Sequence, residues 1–167
     1  MTDGKVADSK SIPQLFVSYT RVDADYCAEF CKHCSVLVDS GLVDLWYDEM
    51  LAPGADWEKE INTRLVKSDI IVLLISADYI SSEFIRSVEM PLALRRHADP
   101  TDDVAVVPVL IRNFLYEVHD LSKLNILPKD ENRRLRPVNR WGEFKDDAWT
   151  QVVQRIYNLL SKGQKDG

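Results

Sequence analysis

Apolar and polar positions alternate along this chain in two rhythms, short continuous apolar runs and longer stretches of helical spacing. Met1 to Ile12 is polar and aperiodic, which predicts a loose tail, and the fold is expected to begin at Pro13. Gln14 to Ser18 is a short apolar run ending in polar residues, as in a buried parallel strand. From Val22 to Ser40, Tyr26, Phe30, Cys34, Leu37 and Val38 recur at helical spacing, and Gly41 follows as a C-terminal cap. Val43 to Tyr47 predicts a second strand. Asp48 to Ala55 contains Pro53-Gly54 and predicts a loop, after which Trp57, Ile61 and Leu65 recur every four residues behind Asp56 as N-cap.

Asp69 to Ser76 reads DIIVLLIS, the composition of a central strand covered on both faces. Ser81 to His97 predicts a helix, Asp99 to Asp103 a charged turn, and Val104 to Ile111 a fourth strand. Arg112 to Arg134 is long, irregular and mixed in polarity, as in a functional or variable loop. Leu135 to Val138 predicts a fifth strand at an edge, where Pro137 is tolerated. Trp149, Val152, Val153, Ile156, Leu159 and Leu160 mark an amphipathic helix, with a tail from Gly163 onward.

Strand and helix thus alternate about five times in what reads as one domain over residues 13–162, flanked by tails at 1–12 and 163–167. The alternation predicts an α/β, flavodoxin-like three-layer sandwich: a five-stranded parallel sheet of order 2-1-3-4-5 with helices on both faces. Ligands in such sheets collect at the carboxyl ends of the strands, near the switch point between the first and third. Four segments converge there: Ser18 to Arg21, Asp48 to Trp57, Ser76 to Glu89, and the loop after Ile111.

Within the third of these, Ile85, Val88, Glu89 and Leu92 fall at i, i+3, i+4 and i+7 and share a helix face. A carboxylate in an aliphatic stripe must be desolvated, partnered or exposed in a cleft, and such mis-set charges are candidate functional groups. On periodicity alone the plainer reading is a helix that turns slightly, or starts late, and lets Glu89 into solvent. Pro91 bears on this, because proline is tolerated mainly in a first turn. The main helix is then expected to start at Ser87 as N-cap. That would put Glu89 near the positive end of the helix dipole and favour its charged form, which suits a stabilising anion better than a general acid.

Composition narrows the function classes. The chain's 167 residues fit one domain with a substantial core. A net charge of -6 and a pI near 5.1 argue against a nucleic-acid footprint, and the short cluster Arg133, Arg134 and Arg136 reads as a solvated loop. No run approaches the roughly 20 apolar residues of a membrane span, so the chain reads as cytoplasmic, with no membrane partner. Cys27, Cys31 and Cys34 share one helix face. They read as core packing in a reducing compartment rather than as a metal site or a thioredoxin-like pair. His97 and His119 are isolated and read as surface or capping residues.

The converging segments resemble those of a TIR domain, of the bacterial and archaeal type found in antiphage systems. LFVSYTRVD, from Leu15 to Asp23, resembles the family's first box. WYDEMLAPGADW, from Trp46 to Trp57, resembles its second box and BB loop. SADYISSEFIRSVEMPLAL, from Ser76 to Leu94, resembles the serine-led stretch that runs into V-E-M-x-x-A-L, and VVPVLI, ILPKD and Trp141 complete the series. The resemblance covers Gln14 to Leu160. It implies that Glu89 is the carboxylate used to cleave the nicotinamide–ribose bond of NAD+, which would be the substrate, with no cofactor and no metal.

By the same resemblance Tyr19, Thr20 and Arg21 would line the pocket floor, while Asp48, Leu51 and Trp57 would border it. Phe84 would stack on a base or ring, and Trp46 reads as core. Many catalytic members carry a tryptophan four residues before the glutamate. Here Ile85 holds that place and Phe84 lies five before, an offset that a local bulge, or a helix that begins later, would absorb. The family also implies homotypic assembly, with Leu51, Ala52, Pro53 and Gly54 of one protomer helping to close the site of the next. The alternative function is a non-catalytic oligomerisation and signalling module. A response-regulator receiver shares the expected topology, but Ser18-Tyr19, Ser76 and Val138 stand where its acids, phosphoacceptor aspartate and lysine belong.

Overall fold

A computed structural model describes residues 11–48 and 56–165, the last three as backbone only. Among these residues four strands, β1 (Gln14–Ser18), β2 (Asp44–Trp46), β3 (Ile70–Ile75) and β4 (Ala105–Leu110), pair in parallel in the order β2-β1-β3-β4. The helices are α1 (Ala24–Asp39), α2 (Trp57–Lys67), the short α3 (Ala77–Ser81), α4 (Met90–Ala98) and α5 (Lys145–Lys165). α5 runs through Gly163 rather than ending before it. Among the described residues, no helix is long and apolar enough to cross a membrane.

The side-chain alternation of the strands divides the core into two layers. Leu15, Val17, Val72 and Leu74 pack with α1 and α5, where Phe30 and Trp149 sit with ring centroids 5.9 Å apart. Phe16, Ile71, Leu73 and Ile75 face α2, α3 and α4. Every residue of β3 is buried, which is why that strand reads as an unbroken apolar run. Gly41 ends α1 at φ +72°, a conformation that costs an L side chain but not glycine, and the Leu42 N–H returns to the Leu37 carbonyl at 3.0 Å.

The expected fifth strand at Leu135–Val138 is not part of the sheet. Beside β4 stands a single parallel bridge, Val109 to Leu127, with the Leu110 N–H donating to Leu127 O at 2.8 Å and the Leu127 N–H to Pro108 O at 3.0 Å. Pro128 has no N–H to continue that ladder. Leu135 instead bridges back to Lys129 in an antiparallel turn, and Val138 opens a 3-10 turn (Val138–Arg140) whose Asn139 N–H bonds Ile111 O at 3.0 Å. The variable loop between them carries two further 3-10 turns, Tyr116–Val118 and Asp120–Lys123.

Candidate functional site

The exits of β1, β2 and β3 enclose a cavity of about 340 Å³. β1 delivers Tyr19 and Thr20 and then a 3-10 turn, Arg21–Asp23. β2 delivers Asp48, which accepts a 2.6 Å hydrogen bond from the Tyr19 hydroxyl. Asp56 caps α2 by accepting from the Lys59 N–H at 3.3 Å, and so fixes Trp57 at the cavity edge. The Trp57 and Phe84 ring centroids lie 4.5 Å apart at 43°. Tyr19, Thr20, Arg21, Asp48, Trp57, Phe84 and Glu89 all line this cavity, joined by Phe16, Val17, Ile61, Ser82 and Ile85. Leu51, Ala52, Pro53 and Gly54 lie outside the described residues. Trp46 is a core residue, stacked on Phe16 at 5.2 Å beneath the Arg64 guanidinium.

The segment that carries Glu89 is helical from 83 to 98, and Ile85–Glu89 winds as a π turn closed by the Met90 N–H to the Ile85 carbonyl. A π turn takes one residue more than an α turn, so residues five apart come to one wall. Phe84 and Glu89 stand in that relation. Pro91 cannot donate to the Ser87 carbonyl, and the wide turn just upstream accommodates its ring. Ser87 is therefore not an N-cap, and its hydroxyl donates to Glu83 O at 2.6 Å. Val88 and Leu92 are only half-buried, whereas Ile85 and Glu89 are buried, Glu89 to 5% exposure.

The charge state expected from a helix start is reversed. Glu89 lies well inside the winding, beyond the reach of an N-terminal dipole. Burial pushes its carboxyl up to about 8; a hydrogen-bonding interaction with Ser18 opposes the shift, and the Asp48 carboxylate adds to it. The direction of that shift favours the protonated carboxyl over the carboxylate.

Behind the cavity runs a buried polar network that pattern reasoning did not assign. Ser18 Oγ and Tyr79 Oη are 2.9 Å apart. The Tyr79 N–H donates to Ser76 Oγ at 3.1 Å, and the Ser76 hydroxyl donates to Asp23 Oδ2 at 2.6 Å. Arg112 Nε donates to Asp23 Oδ1 at 2.9 Å, and its guanidinium also pairs with Asp78. Asp23 is 1% exposed, so the guanidinium supplies the countercharge it needs. A signal was present: Asp23, Asp78 and Arg112 each follow an apolar run closely, at the strand ends where sites form. Cys27 and Cys34 are buried in the α1 core and Cys31 is half-buried, as the packing reading requires. His119 caps a turn by accepting from the Leu121 N–H at 3.1 Å, and His33 pairs with Asp146 at 2.9 Å.

Comparison with known proteins matches this arrangement to one family. A family model described as TIR domain matches residues 15–156. The "Uncharacterized protein y4lF" of Sinorhizobium fredii (strain NBRC 101917 / NGR234) is 30% identical over 145 residues, covering 87% of this chain. The same match covers 43% of that protein, so the chain spans less than half the length of this relative.

Proposed function

The chain belongs to the TIR domain family, and on that premise we propose that it is an NAD+ nucleosidase or cyclase of an immune-signalling or antiphage system, active on self-assembly. The observation that carries the reading is Glu89, a buried carboxyl in the wall of a cavity edged by Trp57, Phe84 and Arg21. Rupture of the nicotinamide–ribose bond leaves the bonding pair on the nicotinamide nitrogen and makes the ribose an oxocarbenium-like cation. A carboxylate beside that carbon stabilises it or holds the ribose hydroxyls. The nicotinamidium of NAD+ is itself a cation, and an adjacent positive charge favours the ionised form of Glu89. Arrival of that cation would thus offset the burial that raises the Glu89 carboxyl.

Arg21, exposed at the rim, suits the pyrophosphate, and Trp57 with Phe84 offers ring faces to nicotinamide or adenine. Attack by water on the cation gives ADP-ribose and a proton, while attack by a substrate ring nitrogen gives a cyclic product. Completion of the site by residues 51–54 of a neighbouring protomer would make turnover depend on assembly. The test is nicotinamide release from NAD+ by concentrated or forcibly oligomerised protein, with products separated by chromatography. Glu89→Gln should abolish release while keeping the fold, and persisting turnover in that variant sinks the assigned role. The second reading, an assembly module without catalysis, is favoured by the burial that raises the Glu89 carboxyl and disfavours its anion. Absence of turnover under every assembling condition would select it.

A further inference from the structure

We propose that the segment after β4 carries a second ligand site, one for a nucleoside phosphate, built on Arg134, Arg136 and Arg140. These three side chains line one cavity of about 330 Å³ with Asn113, Tyr116 and Glu117 in its wall. None of them lines the cavity that holds Glu89, so the proposal stands apart from the nucleosidase reading.

Residues 133 to 140 hold four arginines in a chain whose net charge is -6. Spread over a convex turn they would be solvated charges and nothing more. The fold sorts them instead. Arg133, at φ +64°, stands outside the cavity, whereas Arg134, Arg136 and Arg140 share its wall. Among the described residues none of these three forms an ion pair, although Glu117 and Asp130 line the same cavity. Asp130 Oδ1 is engaged in its own turn, accepting from the Asn132 and Arg134 N–H groups at 2.8 and 3.0 Å. Three guanidiniums gathered at one concavity repel one another, and a bound anion relieves that repulsion.

Arg136 is fixed in place. Its Nε and Nη2 donate to the Arg140 carbonyl at 3.1 and 2.8 Å, and its guanidinium carbon lies 5.3 Å from the centroid of the Trp141 ring. The Trp141 indole N–H donates back to Arg136 O at 2.9 Å. Arg136 Nη1 takes part in none of these bonds, and the Arg134 and Arg140 guanidiniums have no hydrogen-bond acceptor among the described residues. One oriented guanidinium flanked by two disengaged ones presents the paired N–H donors that phosphate oxygens accept.

The rest of the wall selects among phosphate-bearing anions. Tyr116 is half-buried, and Phe114 meets its ring at 71° with centroids 6.4 Å apart. An aromatic ring held beside a phosphate grip suits stacking by a nucleobase. Glu117, exposed at the rim, can accept from ribose hydroxyls, and the Asn113 amide can both donate and accept at a base edge. The cavity is the size of a small-molecule site, while Glu117, Asp130 and the net charge oppose a long polyanion such as nucleic acid.

The full chain, labelled with nitrogen-15, is titrated with AMP, inorganic phosphate and adenosine while the backbone amide shifts are followed. AMP should move amides within residues 113–117 and 134–141 and bind about tenfold more tightly than phosphate or adenosine alone. Arg134→Gln and Arg140→Gln remove no hydrogen bond that holds the loop, and each should weaken AMP about tenfold. Arg133→Gln, outside the cavity, should bind as wild type does. Tyr116→Ala should weaken AMP and leave phosphate unchanged; if it disturbs the loop, the arginine variants decide alone. The proposal is overturned if AMP moves no amides, if the shifts are confined to residues 19–21, 57, 84 and 89, or if Arg133→Gln loses as much as the other two. AMP binding no tighter than inorganic phosphate would overturn it equally.

Discussion

Phe84 and Glu89 face the same cavity although they stand five positions apart, because the backbone between them closes with the Met90 N–H on the Ile85 carbonyl. In an α-helix that spacing would rotate the two side chains apart. The π turn turns an offset in the sequence into a shared wall, and it does so just before Pro91.

Burial of Glu89 makes stability depend on pH. In the unfolded chain this carboxyl ionises near 4.5, and in the folded protein near 8. Between those values the folded state holds a proton that the unfolded state has lost, so stability falls as pH rises through this window and levels off above it. Glu89→Gln does not titrate. Its stability should match wild type near pH 4.5 and exceed it by about 5 kcal/mol at pH 9. Urea unfolding of both proteins at pH 5, 7 and 9 checks this, and a gap that fails to widen with pH would count against the buried carboxyl.

Removal of the Arg112 guanidinium leaves Asp23 buried with its countercharge gone. Arg112→Met should therefore cost roughly 3 kcal/mol of unfolding free energy, far more than an exposed ion pair is worth. Asp78 is half-exposed, and Asp78→Asn should cost much less. Equal losses from the two variants would contradict the assignment of Asp23 as the central partner.

Trp57 and Phe84 are only partly buried, so their truncation should act on ligand more than on folding. Under the nucleosidase reading, Phe84→Ala and Trp57→Ala should each raise KM for NAD+ about tenfold, the value of one lost stacking contact, with a smaller change in kcat. Steady-state kinetics on assembled protein decides it. A drop in kcat at constant KM would instead place these rings in transition-state positioning.

The cysteines should differ in reactivity. Burial, reinforced by Cys31, pushes the Cys34 thiol up to about 12, leaving almost no thiolate at neutral pH. Iodoacetamide at pH 7.5 should spare Cys27 and Cys34 in the folded protein, label half-buried Cys31 slowly, and label all three in denaturant. Mass spectrometry reads the sites, and rapid labelling of Cys34 in the native state would refute the packing.

The sequence by itself determined the layered parallel fold, because β-branched runs such as DIIVLLIS and helical repeats such as Trp57, Ile61 and Leu65 each bury the same face in any context. It also determined the helix limits set by local chemistry, Asp56 before α2 and Gly41 after α1. The fifth strand went astray because apolar content at Leu135 to Val138 says nothing of where its N–H groups go. Pro128 ends the pairing at Leu127 after one bridge. Only the tertiary structure decided the state of Glu89. Its depth, the Asp48 carboxylate from the exit of β2 and the Ser18 hydroxyl from the end of β1 come from segments distant in the chain, and low-dielectric coupling among them depends on distances that no spacing encodes. Periodicity marked Glu89 as out of place; packing made it a buried carboxyl, pushed toward its protonated form, at the wall of a cavity.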